Sequence, residues 1–208
     1  MTSEHTTTYF DARAKTWDDD PMKTARAQAV ADGIQSRVPL TNHMTALEYG
    51  CGTGLLSFAL QPQLKHITLA DSSSGMLAVL QEKIDTNGIA NMRAVQMDLT
   101  TDPLPADRYT LIYSLMTFHH IDDIDRILRD LFSLLVTPGY LCIADLDSED
   151  GSFHGPEFTG HRGFDRIEFE RKLIHAGFRS VDFTTVFEIT KGEKQTRYPV
   201  FLMIARKL

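Results

Sequence analysis

Cysteine is scarce: Cys51 and Cys142 are the two in 208 residues, at no metal-ligand spacing, so neither a disulfide-stapled fold nor a cysteine-zinc fold is expected. No apolar run approaches the ~18 residues that crossing a bilayer requires. The opening stretch, MTSEHTTTYFDARAKTWDDD, lacks the basic-then-apolar order of a secretory signal, so a cytoplasmic protein without a membrane partner is expected. Basic residues are outnumbered, 21 Lys and Arg against 28 Asp and Glu, and no basic cluster exceeds a pair. A net charge of −7 argues against nucleic acid as a partner, since a polyanion would be held against the overall field. Phosphate-loop chemistry is missing as well. No G-x-x-x-x-G-K-[ST] occurs, and the dinucleotide template G-x-G-x-x-G fails at Leu55 when started at Gly50 and at Ser57 when started at Gly52.

What is present centres on residues 46–71, ALEYGCGTGLLSFALQPQLKHITLAD. A short apolar run ending at Tyr49 reads as a buried parallel strand, and E-x-G-x-G-x-G (Glu48, Gly50, Gly52, Gly54) follows with no spacer. Glycines at the carboxyl end of a strand, with a helix N-terminus behind them, form the usual ligand crevice of open α/β sheets. A second apolar run, Ile67 to Ala70, ends in Asp71, where an acid can accept both hydroxyls of a ribose.

With these residues, and with Asp98 after a third strand, TLIYSLMTFHHIDD after a fourth and LLVTPGYLCIAD leading into a fifth, the sequence resembles the class I S-adenosylmethionine-dependent methyltransferases of small-molecule type. The resemblance covers most of the chain. It implies a doubly wound, mostly parallel seven-stranded α/β sheet of order 3-2-1-4-5-7-6, helices on both faces and an antiparallel C-terminal strand. It implies S-adenosylmethionine as cofactor, bound by Glu48, Gly50, Cys51, Gly52, Gly54 and Asp71, with Ser72, Met76, Asp98, Leu99, Ser114 and Trp17 around them. The expected function is methyl transfer to a small-molecule substrate. A catalytically inactive donor-binding protein and an RNA methyltransferase are the alternatives, and oligomeric state is left open.

His119 and His120 are the candidate catalytic residues, because an imidazole titrating near pH 6.5 can take a proton from a hydroxyl or amine; one of the pair bracing the loop is the competing role. His154 and His161 stand among acids at irregular spacing, so no metal site is expected. The absence of [DN]-P-P-[YF] and of a Pro-Cys nucleophile favours a small-molecule acceptor.

One domain over residues 1–208 is expected, with 1–38 as an N-terminal cap and 147–163 as an active-site loop. Residues 1–8 are expected to be disordered in part. Asp20-Pro21 opens a helix with Met22, Ala25, Ala29 or Val30, and Ile34 on its inner face. A further helix carries Ile121, Ile124, Leu128, Leu131 and Leu135 and stops before Pro138-Gly139, with the fifth strand over 140–146. Phe10 or Trp17 is expected near the donor, and Phe153, His154 or Phe158 near the acceptor.

Overall fold

The computed structural model describes the backbone of residues 3–208 and the side chains of residues 7–208. Helix α1 (Ser3–Arg13) and a 3-10 turn (Ala14–Asp19) lead into α2 (Pro21–Arg37), whose first turn is capped by Asp20 accepting from the Met22 amide at 3.0 Å. The order expected for residues 1–8 is corrected from residue 3 onward, where the chain is helical; residues 1 and 2 lie outside the described residues. The inner face of α2 is also rotated from the expected stripe. Ala27, Val30, Ala31 and Ile34 are buried, whereas Met22 and Ala25 are exposed, because the helix packs through its second half against the sheet.

Strands β1 (Thr45–Tyr49), β2 (His66–Asp71), β3 (Met92–Gln96), β4 (Tyr109–Leu115), β5 (Leu135–Leu146), β6 (Arg179–Lys191) and β7 (Thr196–Lys207) form one sheet of order β3-β2-β1-β4-β5-β7-β6. β7 runs antiparallel to both its neighbours, and the remaining pairs are parallel. β1 lies centrally, Ala46 pairing with Ile67 on one side and Leu111 on the other. Side chains alternate across a strand, so consecutive residues feed different layers. Ala46 joins Val30, Ile34, Leu56 and Leu80 from α2, α3 (Leu55–Leu60) and α4 (Ser74–Thr86), while Leu47 joins Leu128, Leu131, Phe169 and Leu173 from α5 (Ile124–Leu134) and α6 (Arg166–Ala176).

Two boundaries differ from expectation. α5 begins at Ile124, where Asp123 accepts from the Arg126 amide at 2.9 Å, so Ile121 precedes the helix although it packs in the same core layer. Leu135 already belongs to β5 and pairs with Tyr109; the register then shifts so that Leu111 meets Tyr140. Pro138 has no N–H for the ladder, and residues 136–139 fall in that irregularity rather than in a turn ahead of the strand.

Candidate functional site

The carboxyl ends of β1, β2 and β4 open into a cavity of about 460 Å³. On one side lie Glu48 to Thr53, Asp71, Ser72, Met76 and Met97 to Thr100; on the other lie Thr7, Phe10, Trp17, Lys23, Arg26, Met116, Thr117 and His120.

The glycine loop is held by backbone bonds. The amides of Gly50 and Cys51 donate to the Ala70 carbonyl at 2.8 and 3.0 Å, and the Gly52 amide donates to Asp71 Oδ2 at 2.7 Å. Gly50 has φ +71°, and a Cβ there would lie 2.3 Å from the Thr117 side chain. Gly54, with φ +81°, does not line the cavity; a Cβ there would lie 2.7 Å from Leu80, so this glycine lets the loop pack on α4.

Asp71 also accepts the Ser73 amide on Oδ1 at 2.9 Å, yet each carboxylate oxygen retains a lone pair. Burial raises its pKa, opposed by those amide bonds. Asp98 accepts from the Thr100 amide and hydroxyl at 2.9 and 2.6 Å. Cys51, Ser72, Met76, Leu99 and Trp17 all touch the cavity. Ser114 does not. Its hydroxyl donates to the Tyr49 carbonyl at 2.7 Å inside the sheet, tying β4 to β1.

Glu48 differs from the expectation that an acid here meets a cation. Ser57 Oγ donates to its carboxyl and lies 2.6 Å from Tyr113 Oη, and burial pushes the Glu48 pKa up to about 8, so the group is largely protonated at neutral pH.

The histidines divide. His119 is buried outside the cavity, its Nδ1 2.7 Å from Asp145 Oδ1. His120 lines the cavity, with its ring 5.5 Å from Phe10 and 4.2 Å from His119. Burial, then the neighbouring His119 and His154, lower its pKa to about 3. The imidazole is neutral and too weakly basic for the proton-accepting role expected of it.

The N-terminal segment is clasped to the cavity rim. Asp11 Oδ1 accepts from Ser73 Oγ at 2.6 Å and from the Gly75 amide at 2.8 Å, a carboxylate at the start of α4. Asp18 accepts from Thr53 Oγ1 at 2.5 Å and from Lys83 Nζ at 2.6 Å, joining the glycine loop to α4. Phe10 and Trp17 are 5.5 Å apart edge to face. The loop over 147–163 contributes nothing to the cavity lining among the described residues. His154 and Phe158 instead touch the His120 ring at 5.5 and 5.4 Å, and Phe153 is buried against Tyr198.

Sequence reasoning missed Arg26. This cavity-lining guanidinium has a buried Nε without a hydrogen-bond partner and no ion pair among the described residues, and burial lowers its pKa. A charged residue on a helix of mixed composition carried no sign of facing inward. Asp11 and Asp18 were equally silent, since acids in a polar N-terminus read as solvated.

Residues 46–139 match the family model of a methyltransferase domain. An uncharacterized methyltransferase of Schizosaccharomyces pombe is 34% identical over 119 residues, 54% of this chain and 42% of the relative. The malonyl-[acyl-carrier protein] O-methyltransferase 1 of Ilyobacter polytropus is 28% identical over 156 residues, 71% of this chain and 57% of the relative. The chain thus spans about half the length of these relatives. The solved structure of a SAM-dependent methyltransferase from Aquifex aeolicus shares the fold with a TM-score of 0.70 at 20% identity, over 95% of this chain and 98% of that one. Carrying this seven-stranded sheet with a glycine loop after its central strand and the matched domain across it, the chain belongs to the class I S-adenosylmethionine-dependent methyltransferases.

Proposed function

We propose that this protein transfers the methyl group of S-adenosylmethionine to a small-molecule acceptor, within one domain whose residues 1–38 act as a cap. The observation that carries this reading is a cavity with two unlike walls, a backbone-built glycine wall and an aromatic, cationic wall contributed by the cap. The residues fit the donor. Asp71 and Asp98 retain acceptor capacity for its hydroxyl and amino groups, the Gly50 to Gly52 backbone and Cys51, Ser72, Met76 and Leu99 form an apolar-edged slot, and Arg26 has an orphaned Nε suited to a carboxylate.

When bound, the donor supplies an electrophilic methyl carbon whose bond to sulfur breaks as the acceptor's lone pair attacks it, leaving a neutral thioether. The chain's residues align and enclose. Phe10 and Trp17 exclude water from one side, and Thr117 braces Gly50 by donating to its carbonyl at 3.2 Å. His120, neutral and packed against Phe10, shapes the acceptor side as a positioning residue. The acidic balance supports a small acceptor over nucleic acid, and free, buried Cys51 and Cys142 suit a cytoplasmic, reducing setting. No helix among the described residues is long and apolar enough to cross a membrane.

Calorimetry with S-adenosylmethionine, its demethylated product and NAD tests the donor; tighter binding of NAD overturns the reading. Turnover of labelled donor against a metabolite panel then tests catalysis. Donor binding without transfer to any acceptor identifies a binding protein instead.

A further inference from the structure

His119 and His120 end the strand β4 segment, and His154 comes from the loop after β5, yet one ring nitrogen from each lies within 4.8 Å of the other two. Their rings form a compact group, with centroids 4.2 Å apart for His119–His120, 4.9 Å for His119–His154 and 5.5 Å for His120–His154. Nothing in the methyl-transfer reading requires this third histidine. The ring nitrogens of His120 and His154 make no hydrogen bond to the described residues, although His120 is largely buried.

We propose that His119, His120 and His154 form a site for one zinc-like divalent transition-metal ion, with His119 binding through Nε2. Three features favour an ion over a plain aromatic cluster. First, Asp145 fixes His119. Its Oδ1 is 2.7 Å from Nδ1, and its Oδ2 accepts the His119 amide at 3.3 Å, leaving Nε2 as the nitrogen for a ligand. A carboxylate behind a ligating imidazole sets its tautomer and raises its basicity, and Asp145 is fully buried. Second, burial and mutual proximity keep His120 and His154 neutral, with pKa values lowered to about 3 and about 4, so no proton must be expelled from either. Third, the spacing is close to what an ion needs. At a metal–nitrogen distance of ~2.0–2.1 Å, two tetrahedral ligands stand ~3.4 Å apart. Closing the gap falls to His154, which is exposed and lies between Gly151 and Gly155, both at φ +91°. The three protein nitrogens leave the fourth tetrahedral position to water or an oxygen ligand. The proposal stands whether or not the cavity beside His120 performs methyl transfer.

The test uses the full chain, stripped with chelator and titrated with Co²⁺ and then Zn²⁺. The expected result is one Co²⁺ per chain with the intense visible bands of a tetrahedral ion, displaced by equimolar Zn²⁺. X-ray absorption of the zinc form should then show three imidazole nitrogens at ~2.0–2.1 Å. His154→Phe keeps a ring to stack on Phe158, which lies 4.0 Å from it in the parent, and should lower Co²⁺ affinity at least about a hundredfold with an unchanged circular dichroism spectrum. Should His154→Phe fail to fold, His120→Phe serves the same purpose. His161→Ala, outside the cluster, should bind as the parent does. Absence of tetrahedral bands at millimolar Co²⁺, or parent-like affinity in a folded His154→Phe or His120→Phe chain, overturns the site.

Discussion

The two walls of the cavity are built by different means. Along the glycine wall, contiguous residues are locked by main-chain bonds: Gly50 and Cys51 to Ala70, Gly52 to Asp71, Met97 to the Asp71 carbonyl at 3.0 Å. The opposite wall is assembled from side chains of segments far apart in the chain, through Asp11, Asp18 and the edge contacts of Phe10 with Trp17 and His120. A wall of strand ends inherits the stability of the sheet, whereas one held by side-chain contacts can open locally at a fraction of the global unfolding free energy. Tight donor contacts therefore belong on the first wall, and entry of ligand belongs on the second.

The comparison breaks most decisively at Gly50. Gly50→Ala puts a Cβ into Thr117 at 2.3 Å and strains a φ of +71°. Overpacking and left-handed strain each cost ~1–3 kcal/mol, so a total of about 2–5 kcal/mol is expected in urea unfolding. Adding Thr117→Ala should recover only part, since the backbone strain stays. Parent-like stability of Gly50→Ala would show that the first wall is not rigid.

Glu48 supplies the next effect, read as pH dependence. The ordinary pKa is 4.5 and the folded value about 8. Below the lower value the acid is neutral in both states. Between the two, the unfolded chain releases a proton that the folded chain keeps, so stability falls as pH rises through this window and levels above it. The parent should lose up to a few kcal/mol across that range relative to Glu48→Gln, measured by denaturant melts at several pH values. Identical slopes in the two chains would place an ionised carboxylate in the core.

Arg26 sharpens the contrast because its two effects have opposite sign. Replacing a buried, unpartnered guanidinium by Met should stabilise the protein by about 1–2 kcal/mol. The same change should weaken donor binding about tenfold, ~1.4 kcal/mol. Unchanged donor affinity with a raised acceptor KM would assign the carboxylate that Arg26 meets to the acceptor.

The first wall was legible in the sequence and the second largely was not. Strands buried on both faces leave continuous apolar runs, and the loop's glycines, Asp71 and Asp98 stand at strand ends that those runs locate. Even there, motif membership did not distinguish Gly54 and Ser114, which serve packing, from Gly52 and Ser72, which touch the cavity. Glu48 shows the same limit, because its pKa depends on Ser57 and Tyr113, contacts made across the fold. On the second wall the aromatic spacing of Phe10 and Trp17 pointed to a cap. Arg26, Asp11, Asp18 and the meeting of His154 with His120 depend on tertiary approach, which no local period encodes.

The smallest effect tests whether the second wall is the one that opens. Asp18 and Lys83 are partly exposed, with side-chain accessibilities of 32% and 25%, so their ion pair contributes at most ~1 kcal/mol. Asp18→Ala should accordingly leave global stability nearly unchanged. Locally it removes the acceptor for both Thr53 and Lys83, the one clasp joining the Ala14–Asp19 turn to the glycine loop among the bonds described. Trp17 lies in that turn, is the sole tryptophan, and has its Nε1 3.9 Å from where a Gly52 Cβ would stand, so its fluorescence reads the wall directly. In Asp18→Ala the emission should shift to the red before donor is added. Amides of residues 10–19 should exchange several-fold faster, and saturating donor should restore both signals toward the parent, because ligand contacts replace the lost clasp. Parent-like emission and exchange in this variant would mean that aromatic packing alone holds the turn, making the second wall as rigid as the first.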